Sequence, residues 1–326
     1  FDQKPAFIIY PIEDKIFKKE KLKIFTQNGY LIENLNSKKL ILPSYFTLQR
    51  NGGVKTIISY QDYRIALISG RENECFFGSL VLTNTGKELA RTKCLPEKGK
   101  NNDFNGLGSS NIHLNEFIFF TLGTPEKHLS KNSLLAQDSE SLFGKIIRFN
   151  KSNLIESIEN NKDLELDIFS KGHRVPQGLT KINNEIFSVE HGPKGGDELN
   201  RILERGNYGW PKVSYGTNYL KNDGGDGKSI DVNHETDNFI EPLIALVPSI
   251  GISSLNNCPK VLKNYYKKNC LLALSLYGNN LRKGNSIIVF LLNNEMTKVD
   301  SFEIIRLNNH VLRHFVTGKE NELYED

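Results

Sequence analysis

Between residues 172 and 219 the chain gathers most of the side chains that could do chemistry. The segment opens with Gly172-His173-Arg174-Val175-Pro176-Gln177-Gly178-Leu179. Glycine and proline there predict a tight, non-helical loop, and Arg174 and Gln177 are long polar side chains suited to project into a cleft. Arg174 is also open to a structural reading, in which it pairs with a carboxylate to join two parts of the fold. Next comes Glu190-His191-Gly192-Pro193-Lys194-Gly195-Gly196-Asp197-Glu198. Its glycines free the backbone to turn carbonyls toward an ion, Pro193 offers a carbonyl without an N–H, and Asp197 and Glu198 add anionic oxygens. That oxygen-rich set suits calcium, and no spacing of Cys or His points to zinc or a redox metal. The same residues also read as a glycine-rich turn whose acids cap neighbouring N–H groups, and both readings stay open. Asn207-Tyr208-Gly209-Trp210-Pro211 holds the only tryptophan of the chain. Its ordinary role is a packing anchor, with ligand stacking as the alternative. Tyr215 and Tyr219 follow and are placed to line the same cleft.

These segments need a scaffold, and the rest of the chain predicts one made of strands. Short apolar or alternating runs separated by turn residues recur at Ala6–Tyr10, Leu40–Pro43, Thr56–Tyr60, Arg64–Ser69, Gly78–Thr83, Phe117–Leu122, Lys145–Phe149, Glu185–Val189, Cys270–Leu276, Ser286–Leu292 and Ser301–Leu307. Helical periodicity is confined to Ser152–Asn161 and Lys260–Lys268. So many short strands favour a closed radial array, because one open sheet of that size would curl or expose long edges. A propeller meets that need. Six four-stranded blades would take roughly 50 residues each, within the range of propeller repeats, although no clean internal repeat marks them.

The 326 residues carry 25% charged side chains, 26 Gly and 11 Pro, an ordinary globular composition. Lys and Arg number 42 against 38 Asp and Glu, and the resulting +4 is too slight and too dispersed for a nucleic-acid surface. The Lys-rich stretch Lys15–Lys23 reads as a solvated face. No apolar run is long enough for a membrane span. The chain starts at Phe1 without a charged-then-apolar leader, which fits a mature secreted product. Cys75 with Cys94, and Cys258 with Cys270, each bracket a hairpin-sized span. Disulfides and buried thiols are both open.

In their order and spacing, GHRVPQGL, EHGPKGGDELN and NYGWP resemble the soluble PQQ-dependent glucose, aldose and sorbosone dehydrogenases, six-bladed propellers of the bacterial periplasm. The match runs from about Leu142, where LFGKIIRF resembles the family's GK-hydrophobic-R strand, to Tyr219. It is weaker at Gly52-Gly53, Phe117–Gly123, Pro248–Ser254 and Leu312-Arg313, and the first 40 residues carry none of it. The resemblance implies an all-β, six-bladed β-propeller over residues 1–326, periplasmic or secreted. It implies calcium on the carbonyls of Gly192 and Pro193, and a second calcium at Glu198 and Tyr208. It places Arg174 and Gln177 against cofactor and substrate, Arg313 against the acids of PQQ, and Thr217, Asn218 and Tyr219 beside that cofactor.

The departures bear on function. The family's Asn in the first motif is Val175 here, and its Gln before Gly-Gly is Asn51. Its stacking aromatic is replaced in Val247-Pro248-Ser249, while a Lys and an Arg expected against the PQQ acids are Tyr277 and Val311. The general base is a His in the family, but the run Asn102 to Gly108 contains none. Asp103 is the substitute, and His113 falls on the outgoing strand. The expectation is a non-catalytic or altered member that keeps calcium and binds a small carbohydrate or a protein, with no nucleic acid partner. The alternative is an active dehydrogenase passing hydride from aldose C1 to PQQ. Metal-dependent lactone hydrolysis ranks third, since no acidic ligand set is legible for it.

Overall fold

Ile65-Ala66-Leu67-Ile68 and Cys270-Leu271-Leu272-Ala273-Leu274 are apolar without alternation, as strands must be when both of their faces are covered. The computed structural model, which describes residues 5–9, 23–33, 36–96, 103–126, 129–223, 225–276, 285–306, 315–317 and 323–325, buries all of these side chains. Its strands make consecutive antiparallel sheets in chain order. The first holds Pro5–Ile9, Lys23–Thr26, Tyr30–Glu33 and Asn36–Lys39. The second holds Val54–Tyr60, Tyr63–Glu72, Cys75–Leu82 and Glu88–Arg91, with Leu95–Pro96 added beside Cys75–Leu82. The third is Asn111–Leu114, Phe117–Leu122, Lys145–Asn150 and Asp167–Lys171. The fourth is Val175–Ile182, Glu185–His191, Asp197–Ile202 and Ile244–Leu246. The fifth is Ile252–Asn257, Cys270–Ser275, Ser286–Leu292 and Val299–Arg306, and the sixth pairs Phe315–Thr317 with Leu323–Glu325.

The apolar cores lie between successive sheets. Phe25 meets Val54, Ile57 and Ile68 between the first and second. Leu67, Phe76 and Leu80 meet Phe120 and Ile147 between the second and third. Phe119 and Ile146 meet Leu179 and Ile186 between the third and fourth, and Phe187 and Leu199 meet Leu255 and Leu271 between the fourth and fifth. The first strands of neighbouring sheets run close together. Ser109 Oγ donates to the Gln177 carbonyl at 2.6 Å, and a Cβ added at Gly178 would lie 2.5 Å from Leu255 N, so only glycine permits that approach.

Three expectations are corrected. Leu40–Pro43 is not a strand but a connection, with Leu40 N donating to Gly29 O and Ile41 N to Thr83 O across two sheets. The loop expected around GHRVPQGL ends at Arg174, because Val175–Ile182 is the first strand of the fourth sheet, where an edge position tolerates Pro176. Asp197 and Glu198, placed by the sequence in a loop, begin a strand. The helices form at Lys151–Glu159 and Lys260–Tyr266. Cys75 is bonded to Cys94 and Cys258 to Cys270, which closes the alternative of free thiols. No helix among the described residues is long and apolar enough to cross a membrane. Residues 15–22 of the Lys-rich stretch, Asn102, Tyr277, Val311, Leu312 and Arg313 lie outside the described residues.

Candidate functional site

The site is built on the hairpin Glu185–His191 and Asp197–Ile202. Antiparallel register sets Glu190 opposite Glu198 and Ser188 opposite Asn200, so two carboxylates and an amide share one buried face. Glu190 is well supplied with donors. Its Oε2 accepts Arg174 N at 2.8 Å, and its Oε1 accepts Asn200 Nδ2 at 2.8 Å and His173 Nδ1 at 3.2 Å. His173 can satisfy this only with a proton on Nδ1, and its Nε2 meets Ser170 Oγ at 2.8 Å. Tyr208 stacks on the His173 ring at 4.6 Å, while its own hydroxyl is taken by Arg201 O and Leu203 N. Glu198 is less well served, with Asn200 Nδ2 at 3.2 Å. Burial and then the Glu190 charge hold its carboxyl well above the usual carboxylate range.

The loop that carries Arg174 is anchored from below. Lys145, fully buried, donates to the carbonyls of Leu135, Ala136 and Phe143, and Gly172 N donates to Ala136 O at 3.0 Å. Burial pulls the Lys145 ammonium down to about 7, while three carbonyl acceptors call for all three of its N–H donors and favour the charged form. The guanidinium of Arg174 lies 5.3 Å from the Trp210 ring centre and donates to Gly192 O at 2.7 Å and His191 O at 3.2 Å. Trp210 Nε1 in turn donates to the buried Glu126 at 3.3 Å. Trp210 is therefore occupied on its face and its edge by this protein's own groups, in keeping with a packing anchor.

Two spaces open on this framework, and Arg174, His191 and Gly192 line both. The inner one is about 10 Å³ and is bounded also by Glu190, Glu198, Tyr208 and Trp210, room for one water-sized object. The outer cleft is about 300 Å³ and adds Pro193, Lys194, Asp197, Tyr219 and Ser249, at the lower end of small-molecule sites. Asp197 is spent on structure. Its carboxylate accepts Gly192 N at 3.3 Å, Ile250 N at 3.1 Å, Ile252 N at 3.0 Å and the Ser249 hydroxyl, and so ties the fourth sheet to the fifth.

Of the residues singled out by sequence, Arg174, Gly192, Pro193 and Tyr219 line the outer cleft, and Glu198 and Tyr208 face Gly192 across the inner space. Gln177 is the extra residue of a bulge between Pro176 and Gly178. Thr217 pairs with Lys194 through reciprocal backbone bonds of 2.8 and 3.0 Å, which holds the turn, and buried Asn218 donates to Asp226 at 2.7 Å. Asp103 accepts Asn51 Nδ2 at 3.0 Å and Asn105 N at 2.8 Å, while its neighbours Phe104 and Leu107 enter the core between the second and third sheets. His113 sits on the strand Asn111–Leu114 as expected. The sequence reading did not single out Glu190, Asn200 or His191 for roles. Glu198 and Asn200 two apart on a strand was the available signal, but it needed the register with Glu190 to acquire meaning.

Calcium fits the donors present. Glu198 is a buried carboxylate short of donors, and the turn at Gly192 is so tight that a Cβ there would lie 2.2 Å from Gly196 O and 2.3 Å from Gly195 O, a carbonyl-rich cradle. For PQQ, one contact that the resemblance implies is missing among the described residues. Val247, 64% exposed, offers no aromatic face at the position where the resemblance calls for stacking, and Ser249 beside it is bound to Asp197.

The family model described as Glucose / Sorbosone dehydrogenase matches residues 58–324. The aldose sugar dehydrogenase YliI of Escherichia coli K12 is 33% identical over 108 residues, 32% of this chain and 28% of that protein. Quinoprotein glucose dehydrogenase B of Acinetobacter calcoaceticus is 32% identical over 103 residues, 31% of this chain and 22% of its own length. The aligned segments thus span under a third of either relative. In three dimensions a glucose dehydrogenase crystal structure superposes with a TM-score of 0.74 at 20% identity, covering 99% of this chain and 93% of that one. The apo form of the soluble E. coli aldose sugar dehydrogenase gives a TM-score of 0.68 at 19% identity, covering 95% and 90%.

Proposed function

Because this chain belongs to the glucose/sorbosone dehydrogenase family, we propose that it is a six-bladed, calcium-binding β-propeller, periplasmic or secreted, that holds a small carbohydrate in the cleft beside Gly192 without oxidising it through PQQ. The observation that carries the calcium reading is the buried pair of Glu190 and Glu198, facing each other with one Asn200 amide between them. A divalent ion at Glu198 would neutralise a charge that burial alone penalises. Calcium would tie the Glu198 carboxylate and the Gly192 and Pro193 carbonyls into one rigid wall of the cleft. Against quinone chemistry stand the lost aromatic face at Val247 and the engagement of Asp103 by its own turn and Asn51.

The second reading, an active PQQ-dependent sugar dehydrogenase, is favoured by one observation. His191, a side chain that ordinarily titrates near neutrality, lines the cleft together with Arg174 and Tyr219. One titration separates the two. Calcium-loaded protein receives PQQ and then mixed aldoses, with the visible spectrum followed throughout. We expect no binding at micromolar PQQ, a melting point raised by calcium, and a further rise with one or more aldoses. Bleaching of the oxidised quinone would replace the first reading by the second, and a melting point indifferent to calcium and chelator would remove the metal.

A further inference from the structure

The Gly192 carbonyl that calcium would use already has a partner within the chain. Arg174 donates from one guanidinium nitrogen to Gly192 O at 2.7 Å and to His191 O at 3.2 Å. The guanidinium is held over the Trp210 ring, and Arg174 lines both the inner space and the outer cleft. Only 7% of Arg174 is exposed, which leaves little water to screen its charge. A carbonyl oxygen has lone pairs enough for two partners, but a divalent ion and a guanidinium on the same oxygen would be like charges within about 5 Å in a poorly screened place.

Resting on the calcium reading above, we propose that Arg174 is the resident cation of this site, and that a divalent ion binds at Gly192 by displacing it. The exchange sends the guanidinium outward into the 300 Å³ cleft, where it meets whatever ligand lies there. Ion binding and presentation of Arg174 to a ligand are then one event. The charge of Arg174 lowers calcium affinity and holds the carbonyl turn together when calcium is absent.

The test is calcium affinity of the full chain, measured by calorimetry and by competition with a fluorescent chelator. Arg174→Gln keeps N–H donors and removes the charge, so it should bind calcium about tenfold to a hundredfold more tightly than wild type, the worth of one charged hydrogen bond. Arg174→Lys retains the charge and should stay within about threefold of wild type. Trp210 is the only tryptophan and loses its cation on exchange, so its emission should change with the same midpoint as calcium binding in wild type and stay still in Arg174→Gln. Equal or weaker calcium binding by Arg174→Gln, with wild type binding normally, overturns the exchange and leaves the calcium site standing. Absence of calcium binding in every protein, wild type included, removes the calcium reading itself. Should Arg174→Gln not fold, a wild-type titration that saturates without moving Trp210 emission overturns the exchange alone.

Discussion

Glu190 lies directly across from Glu198 in the sheet register, and the same Asn200 amide donates to both carboxylates. The two differ in what else they receive. Glu190 is locked by Arg174 N and His173, whereas Glu198 has burial and repulsion raising its carboxyl. Glu190 is therefore fixed by its donors to a degree that Glu198 is not, an asymmetry that two glutamates in a sequence do not announce.

Replacing Glu198 by Gln tests that division. In chelator, the variant loses a buried like-charge neighbour and should melt higher than wild type by a few degrees, corresponding to about 1 to 2 kcal/mol. In calcium, wild type should gain stability and Glu198→Gln should gain none. A variant less stable than wild type in chelator, or one still stabilised by calcium, would show that Glu198 is structural.

Asp197 stands one residue away and should behave in the opposite manner. With three backbone N–H groups and Ser249 on its carboxylate, Asp197→Ala leaves several buried donors without an acceptor. We expect a loss of about 3 kcal/mol or more in urea unfolding, with the calcium-induced rise in melting point retained. A variant as stable as wild type that has lost its calcium response would reassign Asp197 from clamp to ligand.

The strands covered on both faces were legible because nothing but burial explains runs such as Cys270–Leu274. Val175–Ile182 was not, since Pro176 and Gly178 punctuate it like a loop. The edge position that tolerates Pro176, and the Leu255 backbone that demands Gly178, belong to tertiary structure. For Asp197 the metal and capping readings were balanced locally. Its deciding partners, Ile250 and Ile252, lie on the next sheet, beyond any local pattern. The packing reading of Trp210 needed only its uniqueness and size, whereas the contact of Asn51 with Asp103 at 3.0 Å joins residues 52 apart and has no local signal.

Asp103→Asn bears on catalysis. Asparagine can keep the turn bond to Asn105 N, so stability should fall by no more than about 1 kcal/mol. If any aldose oxidation is found with added PQQ and calcium, Asp103→Asn should leave its rate within about twofold of wild type. A loss of a hundredfold or more would restore Asp103 as the base.

His113 supplies a pH dependence remote from the site. Burial, then the charges of Lys151 and Lys181, depress its imidazole from 6.5 to about 4 in the folded protein. The unfolded chain takes up the proton at higher pH than the native one, so this residue's contribution is complete above about pH 6.5 and is lost as pH falls toward 4. Because His113 is only partly buried, the loss should be about 1 to 2 kcal/mol and not the full value of the shift. Unfolding in urea at pH 7 and pH 4.5 checks this against His113→Gln, which titrates nowhere in that range. The carboxylates contribute equally to both proteins, so the difference between the two slopes isolates the imidazole. Wild type should lose more stability than the variant between the two pH values, and identical losses would mean that His113 protonates in the folded state as readily as in water.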